Sequence, residues 1–142
     1  MTTSQPRMTI VIPTVNRPHL VGRAVESALA QTAQDIEILV SDNGSTDETQ
    51  DVLARYRDPR LRFLRREKTI PATAHGNYLI EQVRGEFMLL LSDDDYLEPD
   101  MAARVLDLFD RRPDLSFVYT GCWMHYGSEP FPALTGPEVE SG

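Results

Sequence analysis

The sequence has very little cysteine and no long apolar run. Its single cysteine, Cys122, excludes an internal disulfide and favours a reducing compartment. No stretch reaches the roughly 18 consecutive apolar residues typical of a membrane-spanning helix. The first residues carry no hydrophobic signal region. We therefore expect a cytoplasmic location and no transmembrane segment.

Basic residues are also scarce. The 142 residues include 14 Lys and Arg against 22 Asp and Glu, a formal net charge of −8. Because contact with a nucleic-acid backbone needs a basic surface, this balance excludes nucleic acid as a partner. It suits a protein whose acidic groups are partly neutralised by cations. The length and the 41% apolar content are enough for one globular domain with a buried core.

Apolar runs of strand type alternate with segments of helical periodicity. This alternation predicts an α/β fold, a three-layer sandwich with a mostly parallel central sheet. Residues 87–91 are apolar at every position, which favours a central strand. Strands are predicted at residues 9–13, 36–40, 61–64, 87–91 and 115–119, and helices at 20–31, 45–56, 77–84 and 99–112.

Two further signals mark the ends of these elements. Ser45 and Glu48 have the spacing of a capping box at the start of the second helix. From Gly127 onward the chain is rich in proline, glycine and acidic residues, and no periodicity remains. We predict a domain over residues 1–126, followed at 127–142 by a tail or the start of another part.

Polar residues follow three of the predicted strands. The first strand leads into Pro13, Thr14, Asn16 and Arg17, the second into Asp42, and the fourth into three consecutive aspartates. In parallel sheets the carboxyl ends of the strands share one edge, where ligands bind. We therefore expect these side chains to face one crevice, with His75 as a weaker candidate for its lining.

The triplet Asp93, Asp94 and Asp95 is the strongest single signal. Carboxylates held close together repel one another unless a cation relieves them, and hard oxygen ligands suit Mg²⁺ or Mn²⁺. A metal here could clamp a diphosphate. The alternative is a solvated loop that favours the N-terminus of the next helix.

The other candidates have structural alternatives too. Thr14 and Asn16 could offer polar groups to a nucleotide, Asp42 could accept hydrogen bonds from a base or ribose, and Arg17 could meet a phosphate. The same residues are also common in turns between strands and helices, and most arginines are simply solvated.

Taken together, five blocks of sequence resemble the family 2 glycosyltransferases, which have the GT-A fold. The resemblance runs over about residues 8–126. The blocks are TIVIPTVNRP at 9–18, SALAQT at 27–32, EILVSDNGSTDET at 37–49, GN with RGEF at 76–77 and 84–87, and LSDDDYLEPD at 91–100.

The resemblance implies inverting transfer of a sugar from a nucleoside-diphosphate sugar, with UDP the expected nucleotide, to an acceptor that the sequence does not identify (a glycan, a lipid or a small molecule). The Pro13–Thr14 region would line the nucleoside pocket, Asp42 would contact the base, and Asp93 the ribose. Asp94 is the first choice as metal ligand and Asp95 the second, because the family's Asp-x-Asp-Asp pattern reads Ser-Asp-Asp-Asp here.

The second aspartate of the family's Asp-Asp-Gly-Ser motif is Asn43 in this chain. No general base can be assigned, because family members continue into an acceptor-binding half that normally supplies it. The alternative is therefore a non-catalytic nucleotide-sugar-binding or interaction module, and a homo-oligomer is a further expectation. A nucleotidyltransferase is disfavoured, because residues 13–18 contain no glycine.

Overall fold

The computed structural model describes residues 5–126 and 129–134, with the backbone alone described for Tyr126 and for 129–134. Strands and helices alternate through the first eight elements, and a pair of strands follows. The elements are β1 Met8–Thr14, α1 Val21–Leu29, β2 Ile36–Asp42, α2 Thr49–Leu53, β3 Leu61–Arg65, α3 Ala72–Gln82, β4 Phe87–Leu90, α4 Met101–Arg111, β5 Cys122–Tyr126 and β6 Glu129–Leu134.

The first four strands form one parallel sheet in the order β3-β2-β1-β4. In its register Thr14 of β1 lies opposite Asp42 of β2, and Asp42 lies opposite Arg65 of β3. On the other side of β1, Val11 lies opposite Leu90. The carboxyl ends of all four strands therefore reach the same edge, and the predicted α/β fold with a parallel central sheet is confirmed.

Alternate residues of β1 and β2 point to opposite faces of the sheet, as the two-residue period of a strand requires. On one face, Ile10 and Ile38 are fully buried against Val25 of α1 and Leu106 of α4. On the other face, Val11 and Leu39 pack with Leu79 of α3. The sheet is thus covered by helices on both sides, and this explains why its two inner strands are apolar at nearly every position.

The predicted central position of the fourth strand is wrong for the described part of the chain. β4 pairs with β1 and lies at an edge of the four-stranded sheet. Phe87 stacks on Phe109 of α4, with ring centroids 4.1 Å apart. Met88 and Leu90 point to the α3 side, where Leu90 remains 64% exposed. Apolar composition on both faces was therefore an insufficient sign of a central strand.

Two helix starts also differ from expectation. The helix predicted from residue 77 begins at Ala72, directly after Pro71, and Gly76 lies inside it. The predicted capping box does not form, because the helix begins at Thr49 and its N-cap, Glu48, makes no side-chain capping bond. The Ser45 hydroxyl donates to Asp42 instead.

The predicted strand at residues 115–119 is wrong as well. The backbone there adopts no strand, and Phe117 is 73% exposed, so the segment is not buried against the sheet. Instead, β5 and β6 pair antiparallel, with Tyr126 opposite Glu129. The absence of regular structure predicted from Gly127 onward is therefore wrong for residues 129–134, while 127–128 and 135–142 lie outside the described residues. The division into parts at residue 127 stays a prediction.

Among residues 5–126 and 129–134, no helix is both long enough and apolar enough to cross a membrane.

The turn after β2 gives a stability prediction with a matched control. Gly44 has a φ of 79°, and a Cβ there would lie 2.6 Å from the Thr69 backbone nitrogen. We expect Gly44→Ala to lower the free energy of unfolding by about 1–3 kcal/mol. Gly76 has open space around its missing Cβ and lies within α3, so Gly76→Ala should raise that free energy by about 0.5–1 kcal/mol. Urea denaturation measures both, and equal effects of the two substitutions would contradict the argument.

Candidate functional site

A cavity of about 570 Å³ opens at the carboxyl edge of the sheet, between β1 and β4. The chain adds β2 and β3 on one side of β1 and then crosses to add β4 on the other. Such a change of direction leaves a crevice beyond the strand ends, which is where open α/β sheets bind ligands. The cavity is lined by Pro13, Thr14, Val15, Arg17, Asn43, Ala72, Thr73, His75, Gly76, Asn77, Leu79, Ile80, Met88, Leu90, Ser92, Asp93 and Asp94.

The loop after β1 is held in place by the loop after β2. Asn16 adopts a left-handed backbone conformation with a φ of 52°. Its backbone N–H donates to Ser45 Oγ at 2.8 Å, and its Oδ1 accepts from the Thr46 N–H at 2.9 Å. The Arg17 N–H donates to Thr49 Oγ1 at 3.1 Å. Asn16 is not among the residues that line the cavity, so its polar groups position the loop here.

Asn43 connects the loop after β2 to the segment before α3 through two hydrogen bonds. Its Nδ2 donates to the Ile70 carbonyl at 2.9 Å, and its Oδ1 accepts from the Ile70 N–H at 3.2 Å. An ionised aspartate could accept the second bond but could not donate the first. This pairing explains why asparagine suits a position where the resembling motif has aspartate.

Asp42 lies fully buried behind the cavity rather than in its lining. Its Oδ1 accepts hydrogen bonds from the backbone N–H and the hydroxyl of Ser45, and its Oδ2 accepts one from the Gln50 amide. The Arg65 guanidinium lies 3.9 Å from the same Oδ2. Both carboxylate oxygens are therefore engaged within the protein, and a ligand that bound Asp42 would have to replace one of these partners.

Thr14 has a buried polar atom without a partner in the described part of the chain. Its side chain lines the cavity and is buried, yet within the described part of the chain its Oγ1 has no hydrogen-bond partner. A buried hydroxyl without a partner costs roughly 1–3 kcal/mol. A polar ligand in the cavity would remove this cost, which makes Thr14 a strong candidate for a ligand contact.

His75 forms a buried pair with Ser41 at the same wall of the cavity. Its Nε2 lies 2.8 Å from Ser41 Oγ, and both side chains are buried. Burial lowers the pKa of His75 and the charge of Arg66 lowers it further, against a smaller opposing effect of Asp42. The surroundings of His75 therefore favour the neutral ring, and its contact with Ser41 orients it. Its place in the first turn of α3 was the detail that the helix prediction missed.

The three aspartates of the triplet differ in their position relative to the cavity. Asp93 is buried and Asp94 is about half exposed, and both line the cavity, whereas Asp95 is not among the lining residues. Arg17 bridges the first two: its Nη1 lies 3.1 Å from Asp93 Oδ1 and 3.0 Å from Asp94 Oδ2. A hydrogen bond from Ser92 and then the Arg17 guanidinium hold the pKa of Asp94 below its usual range.

These carboxylates fit a metal that is shared with a ligand. Two oxygens converge on the single point that Arg17 Nη1 now occupies. Within the residues described, no group of three or more His, Cys, Asp or Glu side chains is arranged to hold an ion. Mg²⁺ is commonly held by one or two carboxylates together with substrate phosphates. The donor set therefore suits a phosphate-bound Mg²⁺ or Mn²⁺ better than a metal held by protein alone.

A second, larger depression of about 880 Å³ lies at the opposite, amino end of the strands. Its three arginines have partners already: Arg60 pairs with Asp58, and Arg62 and Arg84 pair with Glu37. Each of these arginines thus already has an acidic partner within the protein, with Glu37 shared by two of them, and we place the functional site at the carboxyl edge.

Comparison with known proteins decides the family. The model for "Glycosyl transferase family 2" matches residues 9–132 of this chain. The chain is a member of the family 2 glycosyltransferases. Chondroitin synthase of Escherichia coli is 38% identical to it over 117 residues, which cover 81% of this chain and 17% of that protein. The chain thus spans less than a fifth of the length of this relative.

Solved structures give the same fold. The crystal structure of S. aureus TarS 1-349 in complex with UDP matches with a TM-score of 0.69 at 24% identity, over 75% of this chain and 33% of that one. The mannosyltransferase PcManGT from Pyrobaculum calidifontis, solved with GDP-Man and Mn²⁺, matches with a TM-score of 0.67 at 22% identity, over the same shares of the two chains. The expected GT-A fold is thereby confirmed for this glycosyltransferase chain.

The buried His75 predicts how stability depends on pH. Its folded-state pKa is lowered, whereas an unfolded histidine titrates near its usual value of about 6.5. Between these two values the unfolded state binds more protons, so the free energy of unfolding should fall as the pH drops below about 6.5. We expect His75→Gln, which keeps a polar side chain, to flatten this dependence in denaturation measured from pH 5 to 8. His19→Gln, at an exposed histidine, is the control, and an unchanged slope in His75→Gln would contradict the assignment.

Proposed function

We propose that the cavity at the carboxyl edge binds the nucleotide part of a nucleoside-diphosphate sugar, a UDP-sugar in the first instance, together with Mn²⁺ or Mg²⁺. The observation that carries this proposal is the convergence of an unpartnered buried hydroxyl, Thr14, with the Asp93–Asp94 pair in one cavity. The family membership and the nucleotide complexes of the structural neighbours support it.

Each candidate residue has a proposed task. Thr14, beside Pro13, donates or accepts a hydrogen bond at the nucleoside. Asp93 is buried and holds the ribose, and Asp94 is the protein ligand of the metal. Asp95 stays the second choice, because it does not line the cavity.

Of the three remaining candidates, Asn16 and Asp42 act from behind the cavity. Asn16 keeps the loop after β1 in position through its bonds to the loop after β2. The contact of Asp42 with the base stays a prediction, and it requires one of the present partners of Asp42, such as the Gln50 amide, to give way. Arg17 lines the cavity and can meet a phosphate.

The complete reaction is proposed to be inverting transfer of the sugar to an acceptor that is not yet identified. A bound divalent cation would neutralise charge on the departing diphosphate. The protein's own side chains bind and orient the donor, and Leu90 and Met88 supply the apolar side of the cavity. We assign no general base. A cytoplasmic location and a homo-oligomer remain predictions from the sequence.

The experiment is calorimetry with UDP, GDP and dTDP, with Mn²⁺ and with a chelator. We expect metal-dependent binding of at least one nucleotide, with Asp94→Asn weakening it at least about tenfold because a metal ligand is lost. Asp95→Asn tests the second choice of ligand and should bind as the unchanged protein does. Asp107→Asn, at an exposed ion pair on α4, is the matched control.

Equal affinity with chelator, or no binding of any nucleotide, would contradict the proposed metal site. A turnover assay with UDP-sugars then separates the two functional readings. Release of UDP indicates an enzyme, whereas tight binding without turnover indicates the non-catalytic binding module.

A further inference from the structure

Arg17 holds two acidic side chains at once, although its own side chain is not buried. Its Nη1 lies 3.1 Å from Asp93 Oδ1 and 3.0 Å from Asp94 Oδ2. Charge-assisted hydrogen bonds of this kind are about twice as strong as neutral ones. The guanidinium thus supplies one positive charge to two negative ones, and leaves the pair with a net charge of −1.

The backbone of Arg17 is held in place, whereas its side chain is partly exposed to solvent. The backbone N–H is bonded to Thr49 Oγ1 at 3.1 Å, and the preceding Asn16 is locked by two hydrogen bonds. The side chain itself is 45% exposed. Because the bonds that hold the loop involve the Arg17 backbone and Asn16, a change of rotamer that moved the guanidinium away from the carboxylates would leave those bonds intact.

A divalent cation bound at Asp94 would lie beside Asp93 and compete with Arg17 for the carboxylate oxygens that it contacts. Mg²⁺ binds oxygen at about 2.0–2.1 Å, and a guanidinium at hydrogen-bond distance from the same oxygens would be repelled by it. Because the single nitrogen Nη1 makes both bonds, a metal that displaced it from Asp94 would break both of them. Since Arg17 lines the cavity, a diphosphate bound there offers the released guanidinium a new anionic partner.

We propose that Arg17 is an exchangeable counter-ion, which partly neutralises Asp93 and Asp94 in the free protein and passes to the diphosphate when metal binds. This inference rests on the proposed function and deepens it. When metal binds alone, Arg17 loses its two charge-assisted bonds. When metal and diphosphate bind together, Arg17 gains new bonds to the diphosphate that compensate for the loss. Arg17 thereby makes the binding of the two cooperative, and by linkage each raises the affinity for the other by the same factor.

The test is a titration of Mn²⁺, followed by the electron paramagnetic resonance signal of the free ion, with and without UDP. The unchanged protein is compared with Arg17→Gln and Arg17→Lys. The Mn²⁺ that associates directly with UDP in solution is measured separately and subtracted. Arg111→Gln is the matched control, since it removes the same charge from an exposed ion pair on α4.

Without UDP, we expect Arg17→Gln to bind Mn²⁺ at least about fivefold more tightly, because the competitor is gone. The factor by which UDP raises Mn²⁺ affinity should fall at least about fivefold, within the usual range of coupling between sites. The ammonium of lysine is a point charge without the planar fork of arginine. In both measurements we therefore expect Arg17→Lys to give values between those of the unchanged protein and those of Arg17→Gln. Arg111→Gln should match the unchanged protein in both measurements.

The exchange is overturned if Arg17→Gln binds Mn²⁺ no more tightly than the unchanged protein, or if its coupling to UDP is the same. If the unchanged protein still shows metal-dependent UDP binding in that case, the proposed function stands and only the exchange is lost. If no variant binds Mn²⁺ or UDP, both proposals fail together.

Discussion

Because β1 is hydrogen-bonded in parallel to β2 on one side and to β4 on the other, three loops are forced to meet at one edge. The register places Thr14 directly opposite Asp42, and on the other side of β1 it places Val11 opposite Leu90, the last residue of β4. Every contact of the candidate site depends on this arrangement. A slip of one residue would turn Thr14 out of the cavity and reverse which side chains reach the core.

The sheet and the position of its functional edge were predictable from the sequence, because they follow from local patterns. The apolar runs of β1 and β2 are buried on both faces, and strands separated by helices have few ways to pair. The position of the aspartate triplet at this edge was predictable for a similar reason, since the triplet follows the apolar run at residues 87–91. Family resemblance then pointed to Thr14 and Asp94 by position.

What could not be predicted depends on contacts between residues far apart in the chain. The roles of Asn43 and Asp42 are set by Ile70 and Gln50, and no local pattern indicates those partners. The pairing of Arg17 with Asp93 joins residues 76 positions apart. The edge position of β4 also depends on the whole sheet rather than on the strand's composition.

The locked conformation of Asn16 restricts which amino acids this position can accept. A φ of 52° is costly for most side chains and excludes β-branched residues in practice. Glycine adopts the dihedral easily but has no side-chain oxygen to accept from the Thr46 N–H. Asparagine and aspartate meet both demands. Position 16 therefore tolerates few substitutions, although the Asn16 side chain does not line the cavity that it helps to shape.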